Sequence, residues 1–364
     1  MTAEVLTTRH LNRALLARQM LLERSALPLT SVVERMGGIQ MQYAPAGYIG
    51  LWSRMQDFGR PMLTRALEDR SVVQGTMMRG TIHTVSGADY WPMMAGISRI
   101  NREWFSKQVR AMAETDMVAV VSAVREELAD GPLRVMELNA RLEARGFSPR
   151  SAGWASWWVE LVRVPPSGTW ERRRADLYEL ADRWLPRRKV SEDDGIQHLI
   201  VRYLGAFGPA PLKDIASWMG LNVNQMRHLV ERIELRDFAD ENGRPLLDLP
   251  DAAIPEPGTP APARFIAVWD AMLLVHARRT QVLPEEYRPL IFNTKTPHSH
   301  PTLLVDGAVA GTWKYDDGTV KLEPFEPLSR AVRRQLEEEA DRLADFHDAT
   351  QAGAADARVA QSGR

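Results

Sequence analysis

The chain has 364 residues, 45% hydrophobic and 26% charged, with a net charge of −1 and no cysteine. That length suits two or three domains with ordinary globular cores. The missing thiols exclude disulfides, thiolate zinc sites, iron–sulfur clusters and a cysteine nucleophile, and the near-neutral charge leaves any nucleic-acid contact to a local basic surface.

No window approaches eighteen uninterrupted apolar residues, and no charged-then-apolar leader opens the chain, so a soluble cytoplasmic protein is expected. Thr7-Thr8 begin a helix with Leu11, Leu15, Leu16 and Met20 on one stripe. Pro28 and Thr30 start a second helix carrying Val32, Val33 and Met36, and Gly37-Gly38 end it. Pro61 opens another, with Leu63 and Leu67 inward. Residues 72–85 then read as a β-hairpin turning at Arg79-Gly80. Helix, helix, turn, helix, hairpin is the order of a winged helix-turn-helix unit.

The order returns twice. Helices over about 115–130 and 133–144 precede a third carrying Trp154, Trp157, Trp158 and Leu161, then a hairpin over 162–172. Helices over 196–207, 212–219 and 223–233 precede a hairpin turning at Glu241-Asn242-Gly243. Gly131-Pro132 matches Gly208-Pro209, and Gly146 matches Gly220. This predicts three tandem copies of one motif. A proline-rich crossing over 248–262 leads to a small antiparallel sheet or barrel with turns at Asp306-Gly307 and Asp317-Gly318. A charged amphipathic helix over 328–346 follows, then an Ala/Gly/Ser-rich tail from Asp348, expected to be disordered. The expected units are residues 1–110, 111–190 and 191–250, a barrel over 251–327, a helix over 328–347 and the tail over 348–364.

Gly38 aligns in this reading with Gly146 and Gly220, between the second and third helices. Gln40 and Gln42 then fall at the turn or start of the third helix, whose first residues read base edges in a free-standing winged helix. Local pattern alone favours a plainer role, with Gln40 capping the helix and Gln42 solvated.

The order Leu6-Thr7 to Arg18-Gln19, Gly38-Ile39-Gln40-Met41-Gln42 and Met78-Arg79-Gly80-Thr81-Ile82-His83 resembles the AlkZ-like bacterial DNA glycosylases. The likeness continues through Tyr203-Leu204-Gly205-Ala206-Phe207-Gly208-Pro209-Ala210 and Leu304-Val305-Asp306-Gly307 to Gly311-Thr312-Trp313, nearly the whole chain. It implies a mainly α fold with a smaller β part: three tandem winged helices around a small β-barrel, forming a C-shape. It implies removal of bulky or crosslinked N7-alkylated purines, often as self-resistance to an alkylating antibiotic. The catalytic pair falls on Gln40 and Gln42, and Gln42, where broader-range cousins carry Asp, resembles the narrower branch.

The chemistry suits uncharged amides. An N7-alkylguanine carries its own positive charge and leaves without protonation. A glutamine carbonyl can orient water and stabilise an oxocarbenium-like sugar. His83 and Thr81, two apart on a strand, share a face and become candidate DNA-backbone contacts, or a hydrogen-bonded structural pair. Arg79 at the hairpin tip and Arg172-Arg173-Arg174 are candidate phosphate contacts. Lys295, His298 and His300 sit in a loop that could enter the minor groove or simply stand exposed. His298 and His300 lack an obvious third ligand for zinc, and the three tryptophans at helical spacing read as core. No cofactor or metal is implied, and no lysine is placed for a lyase step. The expected partner is damaged double-stranded DNA, bound by a monomer. The competing readings are a winged-helix transcription regulator, which would bind one sequence tightly, and a drug-sequestering protein.

Overall fold

The computed structural model describes residues 4–108, 116–274, 277–292 and 299–349. Strand β1 (Glu4–Leu6) is followed by α1 (Thr8–Arg18), capped by the Thr7 side chain on the His10 N–H. Then come α2 (Leu29–Arg35), β2 (Ile39–Gln40), α3 (Ala44–Arg54), α4 (Arg60–Glu68), and the hairpin β3 (Val72–Thr76) and β4 (Ile82–Ser86). The long α5 (Gly87–Gln108) leads to α6 (Met117–Glu127), β5 (Leu133–Arg134), α7 (Val135–Ala144), α8 (Ser151–Ala155), β6 (Leu161–Arg163) and β7 (Leu177–Leu180). After the short α9 (Ala181–Trp184) come α10 (Glu192–Phe207), α11 (Leu212–Met219), α12 (Val223–Val230), β8 (Arg236–Asp240) and β9 (Pro245–Asp248). The last part holds β10 (Arg264–Ile266), α13 (Arg288–Ile291), β11 (Thr302–Val305), β12 (Ala308–Asp316), β13 (Thr319–Pro324) and α14 (Arg330–Asp348).

Strand pairing reveals a repeat in a different register from the one expected. The strand between the first two helices of each set pairs with the returning arm of its hairpin: β2 with β4, β5 with β7, and Ala210 with Leu247. Gly37-Gly38 therefore corresponds to Gly131-Pro132 and Gly208-Pro209, not to Gly146 and Gly220. The first helix of the first set is α2, and α3 and α4 are its second and third. The expected alignment slipped by one helix because the strands that fix it are two residues or fewer.

Two further boundaries differ. Only Ser151–Ala155 is helical in the Trp-rich segment, and Leu161 already belongs to β6. The hairpin from Val162 returns at Leu177–Leu180 rather than Thr169–Arg172. Residues between fold on themselves, with Gly168 N–H donating to the Arg172 and Arg174 carbonyls and Ser167 Oγ accepting from the Asp176 and Leu177 N–H groups.

The first two sets are fused into one six-stranded sheet in the order β2-β4-β3-β6-β7-β5, joined where Gln74-Gly75 pairs with Arg163-Val162. Strand β2 lies at its edge. The C-terminal strands form an open four-stranded sheet, β10-β11-β12-β13, and no closed barrel occurs among the described residues. Helix α14 instead lays Leu336, Ala340, Leu343 and Phe346 on an apolar cluster with Phe265, Trp313 and Val320, which leaves its charged face in water. No helix among the described residues is long and apolar enough to cross a membrane. The tail from residue 350, Lys295 and His298 lie outside the described residues.

Candidate active site

The element that carries Gln40-Met41-Gln42 is a short strand running into a helix, not a helix start. Gly37 and Gly38 adopt φ of 71° and 84°, reversing the chain after α2. Ile39 and Gln40 then pair with Thr84 and His83. Met41 N–H donates to the Ile82 carbonyl at 2.7 Å, and α3 begins at Ala44 with Pro45 in its first turn. Met41 is the anchor. Its side chain is buried, and its sulfur accepts from Thr84 Oγ1 at 3.0 Å. Gln40 and Gln42 flank this anchor, Gln40 in the strand and Gln42 in the bend that leads to α3.

Both amides are oriented. Ile82 N–H donates to Gln42 Oε1 at 3.0 Å, and Arg79 Nη2 donates to Gln40 Oε1 at 3.3 Å. Neither donor can accept, so in each case it is the carbonyl oxygen that faces it. Each oxygen keeps a second lone pair for water. Gln40 is buried and Gln42 exposed, so the pair runs from the interior to the surface.

Arg79 does not stand out from the hairpin tip. Its backbone is left-handed, with φ 53°, and its Nη1 donates to the Trp218 carbonyl in the last turn of α11 at 2.7 Å. Burial lowers its pKa to about 10, which still leaves it charged. Gly80 beside it has no room for a side chain: a Cβ there would lie 1.8 Å from the Trp157 ring. Trp157 stacks on Phe105 with ring centroids 4.4 Å apart, so this tryptophan walls the turn.

His83 lies across from Gln40 and is 2% exposed. Its Nδ1 is 3.1 Å from the Thr81 carbonyl and 3.4 Å from Thr81 Oγ1. Burial, with the nearby Arg79 cation as a second cause, pushes its pKa down to about 3. The ring is therefore neutral, with Nδ1–H donating to the carbonyl and Nε2 left as an acceptor. Arg172, Arg173 and Arg174 are exposed. Arg173 reaches the site's edge, its Nη1 donating to the Tyr43 hydroxyl at 2.8 Å, whereas Arg174 lies 3.5 Å from Asp176. His300 is exposed beyond α13, and nothing connects it to the amide pair.

A carboxylate that the sequence reading did not anticipate stands nearby. Gln40, Ala46, Gly50 and Ala267 line a narrow cleft together with Trp269 and Asp270. Asp270 pairs with Arg54, which is fully buried, at 2.8 Å. Arg54 also donates to Gln19 Oε1 at 3.2 Å, and Gln19 donates to the Ala206 carbonyl at 2.9 Å. Trp269 is itself left-handed, with φ 55°, and its N–H donates to Ser299 Oγ at 2.9 Å. The only sequence signal was Trp269-Asp270 directly after a strand, with nothing to pair it with Arg54.

A family model described as DNA glycosylase AlkZ-like matches residues 33–346. An interstrand DNA cross-link repair glycosylase of Streptomyces sahachiroi is 26% identical over 352 residues, covering 90% of this chain and 93% of that protein. The solved structure of the Streptomyces sahachiroi DNA glycosylase AlkZ superposes with a TM-score of 0.80 at 22% identity, covering 94% of this chain and 97% of that one. That likeness is one of fold.

Proposed function

Because the chain belongs to the AlkZ-like DNA glycosylase family, we propose that this enzyme hydrolyses the N-glycosidic bond of N7-alkylated purines, including bulky natural-product adducts and interstrand crosslinks. It acts in the cytoplasm as a monomer on damaged duplex DNA, in self-resistance to an alkylating antibiotic. We read the three helix-and-hairpin sets as winged-helix units that carry the DNA. Their second and third helices, with Arg172 and Arg173, are the surfaces offered for phosphates.

The observation that carries this reading is the oriented amide pair, Gln40 held by Arg79 and Gln42 held by the Ile82 N–H. In the cationic adduct the C1′–N9 bond breaks with its electron pair passing to the base, which neutralises the base. Water attacks C1′, a C–O bond forms, and the proton passes to solvent. The two carbonyls accept from that water and face the developing sugar cation with their negative ends. Positioning of this kind is worth several kcal/mol. Asp270 sits near, but its charge is countered by Arg54, so among the described residues no unpaired carboxylate lines the cleft beside Gln40 to support a lesion that lacks its own charge.

The test is base release from duplexes carrying 7-methylguanine, a bulky N7 adduct or hypoxanthine. Release of the two cationic bases, with hypoxanthine excised far more slowly, is expected. Absence of any release from N7 adducts removes the glycosylase reading. Full activity in Gln40→Ala/Gln42→Ala removes the site assignment.

A further inference from the structure

A second, larger cavity lies beside the narrow cleft that Gln40 lines. Its volume is about 360 Å³, within the range of small-molecule sites. Five ring-bearing residues, Tyr43, Trp170, Trp313, Tyr315 and His347, line it among smaller aliphatic and proline residues. The His347 ring stacks on Tyr315 at 4.1 Å and meets Trp170 edge-on at 5.2 Å, which fixes three of these groups against one another. Arg173 brings a cation to the lining, Lys314 shares it from a strand position whose side chain alternates away from Trp313 and Tyr315, and among the described residues no carboxylate lines it, though Asp348 accepts from the Tyr315 hydroxyl at its edge. Arg173 is tied to Tyr43, the residue after Gln42.

Ala46, Ala267 and Val268 line both this cavity and the narrow cleft beside Gln40. The wall between them is thus made of small side chains. A substituent on a base held beside Gln40 would pass these small side chains to reach the aromatic cavity.

Resting on the glycosylase reading, we propose that this cavity receives the planar aromatic part of a bulky N7 substituent, its oxygen or carboxylate groups meeting Arg173. Aromatic rings offer stacking and edge contacts to a flat group. The Arg173 guanidinium favours an electron-rich or anionic rim on that group. The enzyme therefore discriminates among adducts by what is attached to the base as well as by the charge on it.

The experiment compares duplexes carrying 7-methylguanine, N7-(naphthylmethyl)guanine and N7-(carboxynaphthylmethyl)guanine. Tyr315→Ala should lower kcat/KM on both naphthyl adducts by about tenfold or more and leave 7-methylguanine release within about twofold. Arg173→Gln should lower release of the carboxylated adduct about fivefold more than release of the uncharged one. Binding of naphthyl-bearing DNA to Gln42→Ala protein should quench tryptophan fluorescence from Trp170 and Trp313, with undamaged DNA quenching little. Equal losses on all three lesions, or no loss on the naphthyl pair, overturn the proposal while 7-methylguanine release keeps the glycosylase reading intact. Equal quenching by undamaged DNA also overturns it, since the cavity would then hold an ordinary nucleotide. Quenching that depends on Tyr315, with no base released by wild type, keeps the cavity and rejects the activity.

Discussion

Arg79→Met separates the two roles open to the arginine at the first hairpin. Methionine keeps the apolar stem and removes both donors. The structure gives Arg79 Nη1 a 2.7 Å bond to the Trp218 carbonyl and Nη2 a 3.3 Å bond to Gln40 Oε1. Bonds from a charged donor contribute about 1.5–3 kcal/mol each, and the longer one falls at the low end. If about 1.5 kcal/mol of Gln40 orientation is felt in the transition state, single-turnover release of 7-methylguanine drops roughly tenfold. Affinity for lesion DNA, measured by anisotropy across salt concentrations, should keep its slope. A phosphate contact behaves differently: its loss reduces the slope of log K against log salt by about 0.9 and weakens binding. The double variant Arg79→Met/Gln40→Ala should be no slower than Gln40→Ala alone, because the two groups act as one. A salt slope reduced by about one, with the single-turnover rate at saturation unchanged, would refute the positioning argument.

The buried His83 makes stability fall on the acid side. An unfolded histidine titrates near 6.5, and the folded ring near 3, so the unfolded chain takes the proton first. Stability is whole above about pH 6.5 and declines towards pH 3, by about 2 kcal/mol at pH 5, and urea melts of His83→Asn should show that share of the decline missing. Gly80→Ala drives a methyl into the Trp157 ring at a left-handed backbone position; a loss of about 2 kcal/mol or more by calorimetry and slower base release are expected. Asp270→Asn leaves Arg54 buried without its counter-charge; a loss of about 3 kcal/mol in urea unfolding is expected, and a stability unchanged from wild type would show that the pair contributes nothing.

Gln-Met-Gln could be singled out in the sequence because it stands in order with other stretches that resemble one family, and because the glycines before it mark a chain reversal. Its placement on a strand could not. Ile39–Gln40 is a two-residue strand defined by a partner more than forty positions away, and alternation cannot be read from two residues. The same brevity hid β5 and the Ala210 bridge, so the repeats were set one helix out of register. The hairpin after β6 was misjudged because Thr169 to Arg172 has strand-like composition, whereas Ser167 gathers the backbone of Asp176 and Leu177 into a loop. Arg79 read as a candidate phosphate contact at the hairpin tip, since nothing local announces a carbonyl acceptor at Trp218. The link between Arg54 and Asp270 joins positions far apart in sequence, as most buried ion pairs do, and only the fold brings it beside Gln40.

The joint at β3 and β6 has a consequence for anyone who wants to shorten or recombine this protein. Three tandem sets of similar order invite cutting between them, or exchanging one for a relative's. Yet Gln74-Gly75 is bonded to Val162-Arg163 of the following set, Arg79 is held by a carbonyl of the third, and Asp270 comes from beyond all three. A fragment ending near residue 108 would carry both glutamines and expose a raw sheet edge along β3, the kind of surface that pairs with other chains. The glutamines would still be present in such a piece. Arg79 and Ile82 would come with them, but the Trp218 carbonyl that holds Arg79 and the Asp270 carboxylate beside Gln40 would not, so the smallest unit that can be transplanted whole runs from the first helix through the C-terminal sheet.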